Sequence, residues 1–224
     1  MSDGVTRKLV AVAGFVSAVA LIGHFVVAGP PASFTTSQKL LVDYALRHDA
    51  VVTGAWLDGI GSVLLILTVV GVAHLAGAAG SLAGRVLLVA GAAVAAQSLL
   101  TDTLLIAATQ IAAAGSGAQA ATLVQVAHAA DYVFPIANTF WAPALGLIVL
   151  RTGVLPAVFG YIAVSFGLVE LFGGTAALYS ESVNAVINPL FLVMVAWNVA
   201  AGVVLLVRRE KRTQVGREQQ VARA

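Results

Sequence analysis

The chain has 224 residues, 60% hydrophobic and 10% charged, with a formal net charge of +2 and a mean hydropathy of +0.97. Soluble domains are about 45–50% apolar and about 25% charged, so a soluble fold of this length has too little interior for this much apolar surface, and lipid is the expected solvent. The absence of cysteine excludes disulfides and thiolate metal sites, and no Gly-rich phosphate loop, zinc-finger spacing or basic-aromatic surface points to nucleic acid as a partner.

Six stretches reach the roughly 20 apolar residues that a helix needs to cross a hydrocarbon core of about 30 Å: 9–28, 51–75, 85–113, 126–150, 155–178 and 187–207. None shows the period-2 alternation of a barrel strand, so helix is expected throughout. The first stretch follows Arg7 and Lys8 and ends in Val26-Val27-Ala28, which mimics a signal cleavage site. Its apolar core exceeds the roughly 7–15 residues of a signal, and it reads as a retained anchor. Gly29-Pro30-Pro31 is expected to stop it. Next comes SQKLLVDYALRHD, with Ser37 as an N-cap for a short interfacial helix. The third stretch is too long for one perpendicular crossing and should tilt, kink or protrude. Short links at 76–84 and 151–154 lead into the third and fifth stretches, and Pro156 suits a first helical turn. Beyond 207, RREKRTQVGREQQVARA is a basic tail (208–224), read as a solvated topological stop attracted to anionic lipid.

The expected architecture is therefore an all-α membrane protein, a bundle of six transmembrane helices over 1–207 followed by a basic cytoplasmic tail. Lys and Arg set its direction. With both termini inside, Arg7, Lys8, Arg85, Arg151, Arg208, Arg209, Lys211, Arg212, Arg217 and Arg223 are cytoplasmic and only Lys39 and Arg47 are outside. Ten of twelve on one side is a positive-inside signal, giving N-in, C-in.

Four acids fall within the spans: Asp58, Asp102, Asp131 and Glu170. At a helical rise of about 1.5 Å per residue, Asp102 lies about 25 Å from the inner end of its helix and Glu170 about 22 Å, while Asp58 lies about 10 Å below the outer surface. All four, with His24, His128 and Asn188, thus occupy the outer half. A charge at mid-bilayer costs roughly 2.5–3.5 kcal/mol on insertion scales, so each should face the bundle or water. Spacings of three and four support this. His128, Asp131, Pro135, Asn138, Ala142 and Gly146 form one stripe; Gly160, Ala163, Gly167, Glu170 and Gly174 form another. Ser98, Asp102 and Thr109 share a face, as do Gly54, Asp58 and Ser62. The expectation is one outward-facing acidic pocket lined by Asp58, Asp102, Asp131, Glu170, His24, His128, Asn138 and Asn188, with Trp141 and Trp197 as its floor. Plainer roles stay open: snorkelling for Asp131, helix-bridging hydrogen bonds for Asp58, Asp102, Asn138 and Asn198. No His-x-x-x-His pair or dense His-Asp pattern occurs, so neither a metal nor a cofactor is expected.

The order of these features resembles a large family of uncharacterised six-helix bacterial membrane proteins grouped as a domain of unknown function. The likeness rests on GAWLDGIGSVL, ADYVFPIANTFWAPALGLIVL, RTGVLPAVFGYIAVSFG and INPLFLVMVAWNVAAG, between a basic N-terminal anchor and a basic tail. Members often pair an Arg with an acid in the third helix; here Arg85 and Asp102 are far apart. The resemblance implies the fold and a multi-pass location in the bacterial inner membrane, and no activity.

Two function classes follow. One is binding or transport of a small lipophilic or cationic ligand in the acidic pocket, with a homodimer or membrane partner completing a bundle of only six helices. The other is an intramembrane enzyme acting on a lipid or isoprenoid, with Glu170 or Asp102 kept protonated by desolvation as general acid, for example in cyclising a prenyl chain. A third reading is a structural or regulatory membrane partner without a ligand.

Overall fold

A computed structural model describes residues 3–29, 36–177 and 179–207. The expected stop at Pro30-Pro31 and the tail 208–224 lie outside them. Every regular element among the described residues is helical. In chain order these are α1 (Asp3–Ala28), α2 (Gln38–Ala45), α3 (His48–Leu75), α4 (Leu82–Ala113), α5 (Gly117–Asp131), α6 (Phe134–Thr152), α7 (Ala157–Val169), a π turn (Glu170–Gly174), α8 (Thr175–Ala177), α9 (Glu181–Ile187), a 3₁₀ turn (Asn188–Leu190) and α10 (Phe191–Val207).

Five stretches among the described residues are long and apolar enough to cross a membrane: Gly4–Ala28, His48–Leu75, Leu82–Ala113, Gly117–Thr152 and Ala157–Ala177. The sixth expected span is divided. Pro189 sits in the 3₁₀ turn, and the apolar helix after it, α10, has 17 residues. The fourth begins earlier than the expected 126 and breaks at Tyr132 and Val133, between α5 and α6. Pro135 explains the break. Its ring collides with the carbonyl four residues back, that of Asp131, where α5 ends, and it fits the first turn of a new helix. α4 runs for 32 residues, about 48 Å at 1.5 Å each, so α4 and the α5–α6 pair both exceed a hydrocarbon core of about 30 Å.

α2 forms where the sequence signals it. Ser37 accepts a hydrogen bond from Leu40 N at 3.4 Å as N-cap, and Leu41, Tyr44 and Ala45 face inward. Arg47, just after α2, stacks over the Tyr44 ring at 4.9 Å. Its Nη2 donates to Ala28 O at 2.9 Å, satisfying a carbonyl at the end of α1.

Packing runs from helix to helix: α1 against α3 and α10, α4 against α3, α5 and α6, and α6 against α7. Small residues set the separations, as expected where lipid supplies no hydrophobic drive between helices. A Cβ on Gly146 of α6 would lie 2.6 Å from Gly160 O of α7, and one on Gly167 would lie 2.3 Å from Pro143. The Pro143 ring inside α6 thus seats against Gly167 of α7, where any side chain would collide with it.

The buried apolar residues form two main clusters. The larger contains Val10, Ile66, Val69, Leu87, Val94, Trp141, Leu145, Phe159, Phe166, Met194 and Trp197. The second, at the α2 end of the bundle, contains Leu41, Tyr44, Val51, Leu105, Ala108, Val124 and Ala127. α4 passes through both. Leu87, Ala90 and Val94 belong to the first, Leu105, Ala108 and Ala112 to the second, and the buried residues between them are Ser98, Thr101 and Asp102. A polar layer thus separates two apolar cores.

Candidate functional site

The polar layer is assembled from α3, α4 and α5. On α4, Ser98 and Asp102 are one turn apart and face Asp58 and Ser62 of α3, while Thr101 faces Asp131 at the end of α5. Ser98 Oγ donates to Asp58 Oδ2 at 2.6 Å. The same hydroxyl is 3.0 Å from Ser62 Oγ and, with a single proton to give, donates to one of the two at a time. Thr101 Oγ1 donates to Asp131 Oδ1 at 3.0 Å. The other Asp131 oxygen lies 3.9 Å from His128 Nδ1. Ala130 O accepts from Val133 N at 3.0 Å across the break and also from the Gln97 side-chain amide of α4.

Asp102 is the exception. It is 6% exposed, and its Oδ2 is buried with no hydrogen-bond partner. That oxygen points at Gly59 of α3, where an added Cβ would lie 3.2 Å from it. Asp58 and Asp131 are both near enough to repel an Asp102 carboxylate. A buried acceptor without a donor costs about 1–3 kcal/mol, more when charged, so this oxygen calls for a donor or cation. Asp131, with a side chain 43% exposed, connects the layer to the surface.

α2 covers the layer. Burial pushes the Tyr44 phenol above its usual 10.0; Arg47 opposes this, and the charges of Asp102 and Asp131 reinforce it. Tyr44 therefore remains a neutral phenol close to two aspartates. His48, at the start of α3, has Nδ1 2.9 Å from Thr109 Oγ1 and ties the α2 end to α4.

Glu170 belongs to a different place. It opens the π turn, is 5% exposed, and lines a cleft of about 210 Å³ between α6 and the π turn. Trp141 Nε1 donates to Asn138 Oδ1 at 2.8 Å, which fixes the amide orientation. The Asn138 amide lies beside the Glu170 carboxyl. Around the acid, the cleft is walled by Tyr132, Pro135, Ile136, Thr139, Phe140 and Leu171.

The expected single pocket is thus two groups with no residue in common. Asp58, Asp102, Asp131 and His128 belong to the layer; Glu170, Asn138 and Trp141 belong to the cleft. His24 joins neither: its Nδ1 is 3.0 Å from Gly54 O, linking α1 to α3. The side chain of Asn188 lies outside the described residues. Trp197, expected in the floor with Trp141, donates instead to Phe159 O at 2.9 Å, two residues into α7, because α10 crosses α7 there. Asn198, expected to bridge helices, is wholly buried with neither amide atom partnered. Among the described residues, no group of three or more His, Asp or Glu is arranged to hold a metal ion.

Sequence reasoning passed over Thr101, Gln97 and Tyr44 in the layer, and Tyr132, Thr139 and Phe140 in the cleft. Thr101 carried a usable signal, since it neighbours an intramembrane acid. Tyr44 and Gln97 lie on α2 and α4, and only the packing of those helices shows that they reach the layer; Tyr132, Thr139 and Phe140 flank or follow the α5–α6 break. Comparison with known proteins supplies no assignment: no family model, curated protein or solved structure matches this chain.

Proposed function

We propose that the chain is a multi-pass protein of the bacterial inner membrane, of the six-helix family it resembles, with six spans and both termini in the cytoplasm. Its activity in this reading is the binding or transport of a small cationic ligand in the aspartate layer. The observation behind it is the unpartnered Asp102 Oδ2, buried beside two further aspartates on neighbouring helices. Acids placed within membrane segments mark ion and substrate paths, and the half-exposed Asp131 lies where a ligand arriving from the outer face would enter. Six helices are few for a complete transporter, so a homodimer or a membrane partner belongs to this reading.

The test is thermal unfolding of wild type and Asp102→Asn in mild detergent against sodium, potassium, ammonium, methylammonium and choline at constant ionic strength. A cation at about 100 times its Kd stabilises by about 2.7 kcal/mol. The proposal requires at least one cation to stabilise wild type and not Asp102→Asn; equal responses refute it.

An intramembrane enzyme acting on a lipid or isoprenoid is favoured by one observation, a cleft lined by Glu170 together with Phe140 and Tyr132. There Glu170 is the general acid and the rings stabilise cationic intermediates. Mass spectrometry of lipid extracts before and after incubation with wild type and Glu170→Gln separates it, since only an enzyme leaves a product that the variant does not make. A structural or regulatory role is what remains when neither experiment gives a difference.

A further inference from the structure

The Glu170 cleft is unlike the aspartate layer in shape and chemistry. It is an apolar-walled recess with one acid at its end. Its rim is exposed on the bundle exterior, with Ile136 58%, Phe140 56% and Leu171 41% exposed. In a chain with this hydropathy, that exterior is a lipid-facing surface. The acid does not open to lipid: Glu170 is 5% exposed, with Asn138, itself fixed by Trp141, beside it.

Local sequence keeps the recess open. A Cβ on Gly174 would lie 2.3 Å from Pro135 Cβ and 3.7 Å from Glu170 Oε2, so the glycine leaves room for both the proline and the acid. The π turn from Glu170 to Gly174 is a rare geometry that recurs at functional sites. A carboxyl can accept several hydrogen bonds, and the cleft that Glu170 lines is apolar apart from Thr139, Thr175 and the Tyr132 phenol.

We propose that this cleft binds a lipid-soluble amine, a single-chain molecule that enters sideways from the bilayer with its amino group on Glu170 and its chain along Ile136, Phe140 and Leu171. The carboxyl selects the head group. An amine pairs with it in either distribution of the shared proton, through a charge-assisted bond in a low-dielectric site. A fatty acid would bring two carboxyls together, and an alcohol offers only a neutral hydrogen bond. The volume, about 210 Å³, takes a head group and the first carbons of a chain and leaves the rest in lipid. The site shares no residue with the aspartate layer, so it adds a second ligand to the proposed function and does not depend on the first.

Dodecylamine, dodecanol and dodecanoic acid are the probes, each offered to the full chain in phosphatidylcholine nanodiscs and measured by native mass spectrometry. Variants are Glu170→Gln and Ile136→Trp, the latter filling the exposed rim without touching the acid. Wild type is expected to retain the amine at least about tenfold more tightly than the alcohol or acid, a difference of about 1.4 kcal/mol. Both variants are expected to lose that preference while unfolding at wild-type temperatures. Asp102→Asn keeps the amine, so loss of the cation site and loss of the amine site are told apart. Equal retention of the three probes, or a preference that survives both variants, overturns the proposal.

Discussion

Gly146→Ala tests the close seam between α6 and α7 that positions the cleft. An added Cβ at Gly146 would sit 2.6 Å from Gly160 O, 2.6 Å from Val164 Cγ2 and 3.0 Å from Val164 N. Two of those atoms are backbone and cannot rotate away, so the helices must separate. A gap of 0.5–1 Å forfeits about a quarter to a half of each dispersion contact along the seam. Overpacking typically costs about 1–3 kcal/mol, and the upper part of that range applies because the opposing atoms are fixed. Alanine recovers about 0.8–1.0 kcal/mol of helix propensity over glycine. The net expectation is a loss of about 1–2 kcal/mol. Two other glycines serve as controls in the same loop. Gly80 has nothing within 4 Å and no left-handed backbone, so Gly80→Ala should be neutral or slightly stabilising. Gly77 also has open space but φ of 67°, so Gly77→Ala should lose about 1–2 kcal/mol through backbone strain alone. SDS titration from mixed micelles, followed by tryptophan fluorescence, ranks all four proteins. A Gly146→Ala protein as stable as Gly80→Ala would refute the close seam.

Further expectations are more local. Trp197→Phe removes the bond to Phe159 O between α10 and α7 and should cost about 0.6–1.7 kcal/mol in the same titration; no change would mean the bond does not hold α10. Ser98→Ala should destabilise more than Asp102→Asn, because Ser98 serves both Asp58 and Ser62 while Asp102 Oδ2 has no partner to lose. The reverse order would remove the basis for treating Asp102 as poised for a ligand. Tyr44, raised by burial, binds its proton more tightly folded than unfolded, so its contribution is present below pH 10.0 and lost as pH rises beyond it. Stability in the same titration should fall over that interval more steeply in wild type than in Tyr44→Phe. The chain has no cysteine, so single cysteines report topology cleanly. Thr122→Cys should react with an impermeant maleimide on intact cells and Gly80→Cys only after permeabilisation; the opposite pattern would invert the proposed orientation.

Hydropathy made the helices legible because lipid imposes one rule on every residue of a span. The buried stripe of Gly160, Ala163, Gly167, Glu170 and Gly174 was readable for the same reason: helical period and residue size together mark a packing face. What depth alone did not reveal is which acids meet. Counting along the helices puts Glu170 and Asp102 at similar expected heights, yet one lines a recess between α6 and the π turn and the other faces α3. Depth is an axial coordinate, and assembly depends on the angle around the bundle. The α5–α6 break shifts that angle after Asp131, which carries Asn138 to the cleft side and leaves His128 in the layer. Pro135 announced the break, but an unbroken stripe fitted the same residues at the same spacing.

The two apolar clusters have different solvents under the proposed orientation. The one built around Trp141 and Leu145 lies within the span of the bilayer, where lipid tails are as apolar as the side chains and cohesion comes from close packing. The one built around Leu41, Val124 and Ala108 lies beyond a layer already about 25 Å along α4 from its inner end, where water borders it and the hydrophobic effect holds it together. That effect weakens on cooling, whereas packing in lipid does not depend on it. Cold therefore acts selectively on the α2 end: the cover over the aspartates loosens first, while the membrane-embedded core beneath keeps its shape.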